Sequence, residues 1–151
     1  MKKTQRQIQE EIIRRYNVTI DEHSKCRSRV HVHVKERRIC KWHPKNSVTA
    51  TFTLLHEIGH IENNTSTMRR AEQEYYATIW AIDRLKEYGF DIPKKSLLIY
   101  QRYILSEISR GRRRRGKNYP EMNLYKYVGI DKTIEEFMEE LDPKWRNYIE
   151  A

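Results

Sequence analysis

Residues 54–61 read Leu54-Leu55-His56-Glu57-Ile58-Gly59-His60-Ile61. Ser47 is a suitable N-cap, so we predict a helix that runs from Ser47 to about Asn63. At a spacing of four residues, the imidazoles of His56 and His60 project from the same face of that helix. They can therefore bind one metal ion, while Glu57 beside them can take a proton from water.

Apolar residues surround this His-Glu-x-x-His motif, at positions Phe52, Leu54, Leu55, Ile58 and Ile61. We therefore expect the helix to be buried and its histidines to be shielded from bulk water. Gly59 costs about 1 kcal/mol relative to Ala in a helix interior, which predicts a close-packed neighbour at that position. The alternative is an ordinary helix whose His and Glu side chains make only local hydrogen bonds.

A catalytic zinc ion requires a third protein ligand and one open position for water or substrate. No histidine follows His60, so the candidates are Glu62, Glu72 and Glu74. We predict a third helix over residues 68–88, with an inward stripe of Ala71, Glu74, Tyr75, Thr78, Ala81, Ile82 and Leu85. A carboxylate on such a stripe costs several kcal/mol unless it is paired, which favours Glu74 as the ligand. Glu72 lies far around the helix and is the alternative.

The chain before the motif predicts a small sheet. Strict alternation predicts a strand over residues 28–35. Its apolar face comprises Val30, Val32 and Val34, and its polar face comprises Arg29, His31, His33 and Lys35. Residues 36–38 can turn the chain so that residues 39–42 return as the partner strand of a hairpin. A short strand over residues 18–20 can join them.

Two more helices are predicted, one before the sheet and one after the third helix. The first covers residues 4–16 and ends at Asn17, with one apolar stripe facing the protein. The third helix, described above, ends at Gly89. A fourth helix covers residues 96–109, with Leu97, Tyr100, Ile104 and Ile108 on one side.

The 151-residue chain carries 30 Lys and Arg against 21 Asp and Glu, a net charge of +9, which favours an acidic partner. Six basic residues lie between positions 110 and 117: Arg110, Arg112, Arg113, Arg114, Arg115 and Lys117. With the tyrosines interleaved nearby, this run can hold nucleic acid by neutralising phosphates and stacking on bases. The alternative is a solvated or protein-binding loop. A short acidic helix is predicted over residues 131–141.

The sequence excludes several classes of protein. No apolar run approaches the roughly 20 residues that span a bilayer, and the N-terminus lacks a signal-peptide core, so we expect a cytoplasmic protein without membrane contact. Cys26 and Cys40 are too few for a disulfide scaffold, and we expect reduced thiols. A second, structural zinc site is an alternative to idle thiols and solvent-facing histidines, and its ligands would come from Cys26, Cys40, His31, His33 and His43.

The motif at 54–61, followed by Glu72-Gln73-Glu74-Tyr75-Tyr76-Ala77, resembles the ImmA/IrrE family of phage- and bacterium-associated metallopeptidases. The resemblance covers roughly residues 28–93. It implies a gluzincin-like α+β fold, in which a hairpin or short sheet packs on the motif helix and on a ligand-bearing helix. On this view residues 1–109 form the metallopeptidase domain. Residues 110–151 form a basic linker and a helical extension that packs on the same domain.

The resemblance also implies an activity. His56, His60 and Glu74 would hold Zn²⁺, and Glu57 would act as the general base of an endopeptidase. Several members of the family cleave or inactivate helix-turn-helix repressors. The implied substrate is therefore a protein, and a phage or mobile-element repressor is the leading candidate.

This chain departs from the family pattern at one place. Tyr75 and Tyr76 replace the Ala-Asn of the usual Glu-x-Glu-Ala-Asn-x-Phe-Ala motif. Either tyrosine, or a hairpin histidine, can supply the oxyanion stabiliser that peptide hydrolysis needs. The departure and the Arg-rich run also favour a second hypothesis, a zinc-stabilised protein that binds a regulator or nucleic acid without cutting it.

Overall fold

The computed structural model describes residues 2–22, 29–63 and 68–114, with side chains described up to Glu107. Four helices and three strands occur in these ranges, in the order α1 (Gln5–Tyr16), β1 (Thr19–Asp21), β2 (His31–His33), β3 (Arg38–Cys40), α2 (Val48–Asn63), α3 (Arg70–Glu87) and α4 (Lys94–Arg114). The predicted small α+β fold is therefore confirmed at the level of its class. Cys26, Arg115, Lys117 and the predicted helix at 131–141 lie outside the described residues.

Contacts group the chain into two compact units. The described part of the first unit contains α1, the three strands, α2 and residues 76–96. The described part of the second contains residues 68–75 and residues 97–114. Because α4 continues to Arg114, residues 110–114 of the basic run are helical, five residues beyond the predicted end of that helix.

The three strands form one sheet in the order β1-β3-β2, with β1 parallel and β2 antiparallel to β3. The predicted hairpin and its third strand are thus both present. Each strand has three residues, so β2 is much shorter than the predicted 28–35. The chain turns directly after His33, which leaves Val34 41% exposed, and its predicted place on a buried face is wrong. Arg37 completes the turn with a left-handed φ of 51°.

Helix α1 begins and ends with local signals in the sequence. Thr4 accepts a hydrogen bond from the Gln7 amide, and the Gln7 side chain accepts one from the Thr4 amide, which completes a capping box. Asn17 ends the helix in the left-handed conformation, as predicted. Ile8 and Ile12 form its buried stripe.

Helix α2 lies at the centre of the first unit and contacts both α1 and β2. Its predicted apolar residues are all buried: Phe52, Leu54, Leu55, Ile58 and Ile61. Buried Thr51 donates a hydrogen bond to Gln5 and accepts one from Gln9 at 2.9 Å, which attaches α2 to α1. None of the described helices is both long and apolar enough to cross a bilayer.

Candidate metal centre

The motif histidines lie on the buried side of α2. Ser47 caps the start of this helix, as predicted, because its hydroxyl accepts a hydrogen bond of 3.2 Å from the Ala50 amide. His56 is 2% exposed and His60 is 8% exposed. Their ring centroids are 4.9 Å apart, in the side-by-side position that a four-residue spacing produces.

Gly59 lies between the two histidines and permits a close helix contact. A Cβ at this position would come within 2.9 Å of the Ala77 carbonyl oxygen and 3.0 Å of the Ala77 Cα on α3. The predicted close neighbour of Gly59 is therefore the backbone of Ala77.

Helix α3 presents the predicted stripe. Five of its members are buried along with Glu74: Ala71, Thr78, Ala81, Ile82 and Leu85. The Tyr75 side chain is only half-buried. The helix ends where predicted, because Gly89 takes a φ of 89° and its amide and that of Phe90 bond back to the last turn.

Three candidate ligands come together on these two helices. One ligand atom from each of His56, His60 and Glu74 lies within 4.8 Å of the others, and all three residues are buried. Glu72 is half-buried and belongs to no such group among the described residues. Glu62 is directed elsewhere, because its carboxylate pairs with Arg37 at 2.5 Å on the surface.

Thr78 supports the first histidine. Its hydroxyl lies 3.2 Å from His56 Nδ1, and both groups are buried. A hydrogen bond to one ring nitrogen fixes the orientation of an imidazole and leaves the other nitrogen for a metal. The contact with Thr78 therefore orients the His56 ring.

Glu74 also takes part in a charged network. Arg70, one turn earlier, lies 3.2 Å from Glu74 Oε1. Burial lowers the pKa of Arg70, but the charge of Glu74 and a hydrogen bond with Tyr103 outweigh it and raise the pKa overall. Burial raises the pKa of Tyr103, and the negative charges of Glu74 and Glu107 act in the same direction.

The remaining predicted site residues lie within the motif or directly after Glu74. Glu57 is half-buried, next to His56 on α2. Tyr75 is half-buried, whereas Tyr76 is 37% exposed. The predicted roles of these three side chains, as base and as oxyanion stabilisers, stay predictions.

The donor set fits a zinc ion. Two imidazoles and one carboxylate are the ligands of many catalytic zinc sites, which keep a fourth position open. A carboxylate that is 3% exposed has lost most of its hydration, so a divalent cation would compensate a real desolvation cost. Arg70 contacts Oε1 of Glu74, and a carboxylate can accept several partners at once, so this ion pair is compatible with metal binding by Glu74.

Two supporting residues were not recognised from the sequence. Thr78 and Arg70 lie four residues after and before Glu74, so each is one helical turn from it. That spacing is visible in the sequence. The partner of Thr78 is not, because the contact with His56 depends on how α2 packs on α3.

Comparison with family models, with curated proteins and with solved structures finds no match to this chain.

Proposed function

We propose that this protein is a zinc-dependent endopeptidase that cleaves a protein substrate. The observation that carries the proposal is the buried group of His56, His60 and Glu74, whose ligand atoms lie within 4.8 Å of one another. The position of Glu57 in the same motif supplies a base for hydrolysis. The resemblance of both motifs to the ImmA/IrrE family supports the same reaction and a helix-turn-helix repressor as substrate.

Each residue has one role in this proposal. His56, His60 and Glu74 would hold the ion, which when bound would acidify water and polarise the scissile carbonyl. Thr78 orients His56 through the 3.2 Å contact with Nδ1. Glu57 takes the proton from the attacking water and gives it to the leaving amine.

A second function is favoured by the ion pair between Arg70 and Glu74. Because the guanidinium compensates part of the cost of burying the carboxylate, the group can be stable in a protein that does not catalyse a reaction. On this hypothesis the protein binds zinc for structure and holds a regulator or nucleic acid without cutting it. The basic run that starts at Arg110 would supply the electrostatic attraction.

The test is a cleavage assay with matched variants. Zinc-loaded wild type is incubated with helix-turn-helix repressors and with an unstructured protein, with and without a chelator. We expect discrete fragments that the chelator prevents. Glu57→Gln should retain zinc and cut at least about 100-fold more slowly, since general acid–base catalysis contributes at least that factor.

Glu62→Gln is the matched control, because Glu62 lies on the same helix but pairs with Arg37 at the surface. It should cut at the wild-type rate. A Glu57→Gln variant as fast as wild type would disprove the role of the base. A repressor that binds in a zinc-dependent manner and stays intact would support the binding protein instead.

A further inference from the structure

The sheet brings a second group of metal-binding side chains together, in the first compact unit. His31 and Cys40 are paired residues in the antiparallel register of β2 and β3, so their side chains share one face. His33 lies two residues further along β2, on that same face. One ligand atom from each of these three residues lies within 4.8 Å of the others.

The histidine nitrogens indicate a missing partner. Nε2 of His31 and Nε2 of His33 are both buried and have no hydrogen-bond partner among the described residues. Buried polar atoms in native proteins almost always have a hydrogen-bond partner, so two neighbouring nitrogens without one require an explanation. An ion bound between them would be that partner.

The other ring nitrogen of His31 fixes the tautomer that metal binding needs, and that of His33 faces a carboxylate. Nδ1 of His31 lies 3.0 Å from the Arg29 carbonyl oxygen. A carbonyl only accepts, so Nδ1 carries a proton, and in the neutral imidazole Nε2 then carries the lone pair. Nδ1 of His33 lies 4.0 Å from the Glu36 carboxylate. This distance is too long for a hydrogen bond, but a carboxylate beside the ring is one of the usual outer partners of a zinc-binding imidazole.

Cys40 completes the donor set from the neighbouring strand, β3. It is a free cysteine and fully buried. The rings of His31 and His33 have centroids 5.3 Å apart and an interplanar angle of 71°, so they meet edge to face and do not stack. Two imidazoles and a thiolate form a borderline-soft donor set, which zinc prefers and which magnesium and calcium do not.

We propose that His31, His33 and Cys40 bind one zinc ion through the two Nε2 atoms and Sγ, at a site separate from the centre on α2 and α3. Tetrahedral zinc holds its nitrogen and sulfur ligands roughly 3.3–3.7 Å apart, so the three side chains need to draw together by no more than about 1 Å when it binds. The ion links β2 to β3, and it stabilises a hairpin whose strands have three residues each. A water molecule takes the fourth position.

Cobalt substitution tests this site and separates it from the first one. Co²⁺ bound to a thiolate gives a sulfur-to-metal charge-transfer band in the near ultraviolet, whereas His56, His60 and Glu74 contain no sulfur. Apo protein is titrated with Co²⁺ under reducing conditions. We expect the band in wild type and in Glu74→Ala, and we expect two zinc ions per wild-type chain and one in Glu74→Ala.

The variants assign the ligands. Cys40→Ser should lose the band and one zinc ion, while Cys26→Ser, the matched cysteine control, should keep both. Because Cys40 is buried, His33→Gln provides a second variant on a half-exposed side chain. It should weaken Co²⁺ binding at this site at least 10-fold, and His43→Gln, an exposed histidine that lies near Glu22, should not.

Two results would overturn the site. They are a wild-type protein without the band, and a band that survives Cys40→Ser. Failure of the first centre has a different signature, in which Glu74→Ala keeps all the zinc that wild type binds. The two proposals can therefore fail independently.

Discussion

Gly59 on α2 faces the backbone of Ala77 on α3, where an added Cβ would lie 2.9 Å from the Ala77 carbonyl oxygen. Non-bonded atoms do not pack at this distance without a shift of one helix. His60 directly follows Gly59, and Glu74 precedes Ala77 by three residues. The contact therefore holds α2 close to the part of α3 that follows Glu74.

We expect Gly59→Ala to lower both stability and zinc affinity. Alanine is the better helix former by about 1 kcal/mol, but overpacking against backbone costs about 1–3 kcal/mol. The free energy of unfolding in urea should fall by up to about 2 kcal/mol, and zinc should bind more than 10-fold more weakly. Gly89→Ala is the control: its φ of 89° strains alanine, so it should lose about 1 kcal/mol without weakening zinc binding. Wild-type affinity in Gly59→Ala would contradict the prediction.

The two acidic residues of α3 should behave differently. Glu74→Ala should weaken zinc binding by more than about 100-fold, since even the loss of an outer partner costs 10–100-fold. Glu72→Ala should bind zinc like wild type, because Glu72 belongs to no metal-binding group among the described residues. Zinc content after dialysis measures both. The reverse ranking would make Glu72 the ligand.

Thr78 should act on zinc through His56. Thr78→Val has nearly the same shape but lacks the hydroxyl 3.2 Å from His56 Nδ1, so zinc affinity should fall about 10–100-fold. Thr78→Ser keeps the hydroxyl and should recover most of the affinity. Competition with a zinc indicator measures all three proteins. Equal affinities in the valine and serine variants would show that the contact is only packing.

Tyr16 offers a prediction on stability and pH. Its ring packs edge-on against Trp80 at 5.2 Å, and its buried hydroxyl has no hydrogen-bond partner among the described residues. Tyr16→Phe removes that hydroxyl and should stabilise the protein by about 1 kcal/mol in urea at neutral pH. A loss of stability of that size would show that the hydroxyl has a partner.

The raised pKa of Tyr16 also makes the difference in stability between wild type and Tyr16→Phe depend on pH. Burial of the phenol is the main cause of the increase, and the charges of Arg15 and Arg84 oppose it. The folded protein therefore keeps this proton above pH 10, where the unfolded chain has lost it, so stability falls as the pH rises through that range. The stability advantage of Tyr16→Phe over wild type should grow between about pH 8 and pH 10.5. A constant difference in unfolding free energy would contradict the shift.

The helices and their ends were largely readable from the sequence. Ser47, Asn17 and Gly89 act within one turn of their own helix, so their effect does not depend on the rest of the fold. The spacing of His56 and His60 and the inward position of Glu74 follow from the period of the α-helix. These signals are local, and they were sufficient to name the three residues of the first centre.

Only the tertiary structure decided which strands pair and which helices pack together. The β2–β3 register pairs His31 with Cys40, nine residues apart, and the early turn at Val34 sets that register. The contact of Thr78 with His56 depends on the packing of α2 on α3. Strand pairing and helix packing join residues that are distant in the chain, and the free energy of such contacts depends on the whole core. The sequence by itself determined which side chains can bind metal, whereas folding determined which of them lie together.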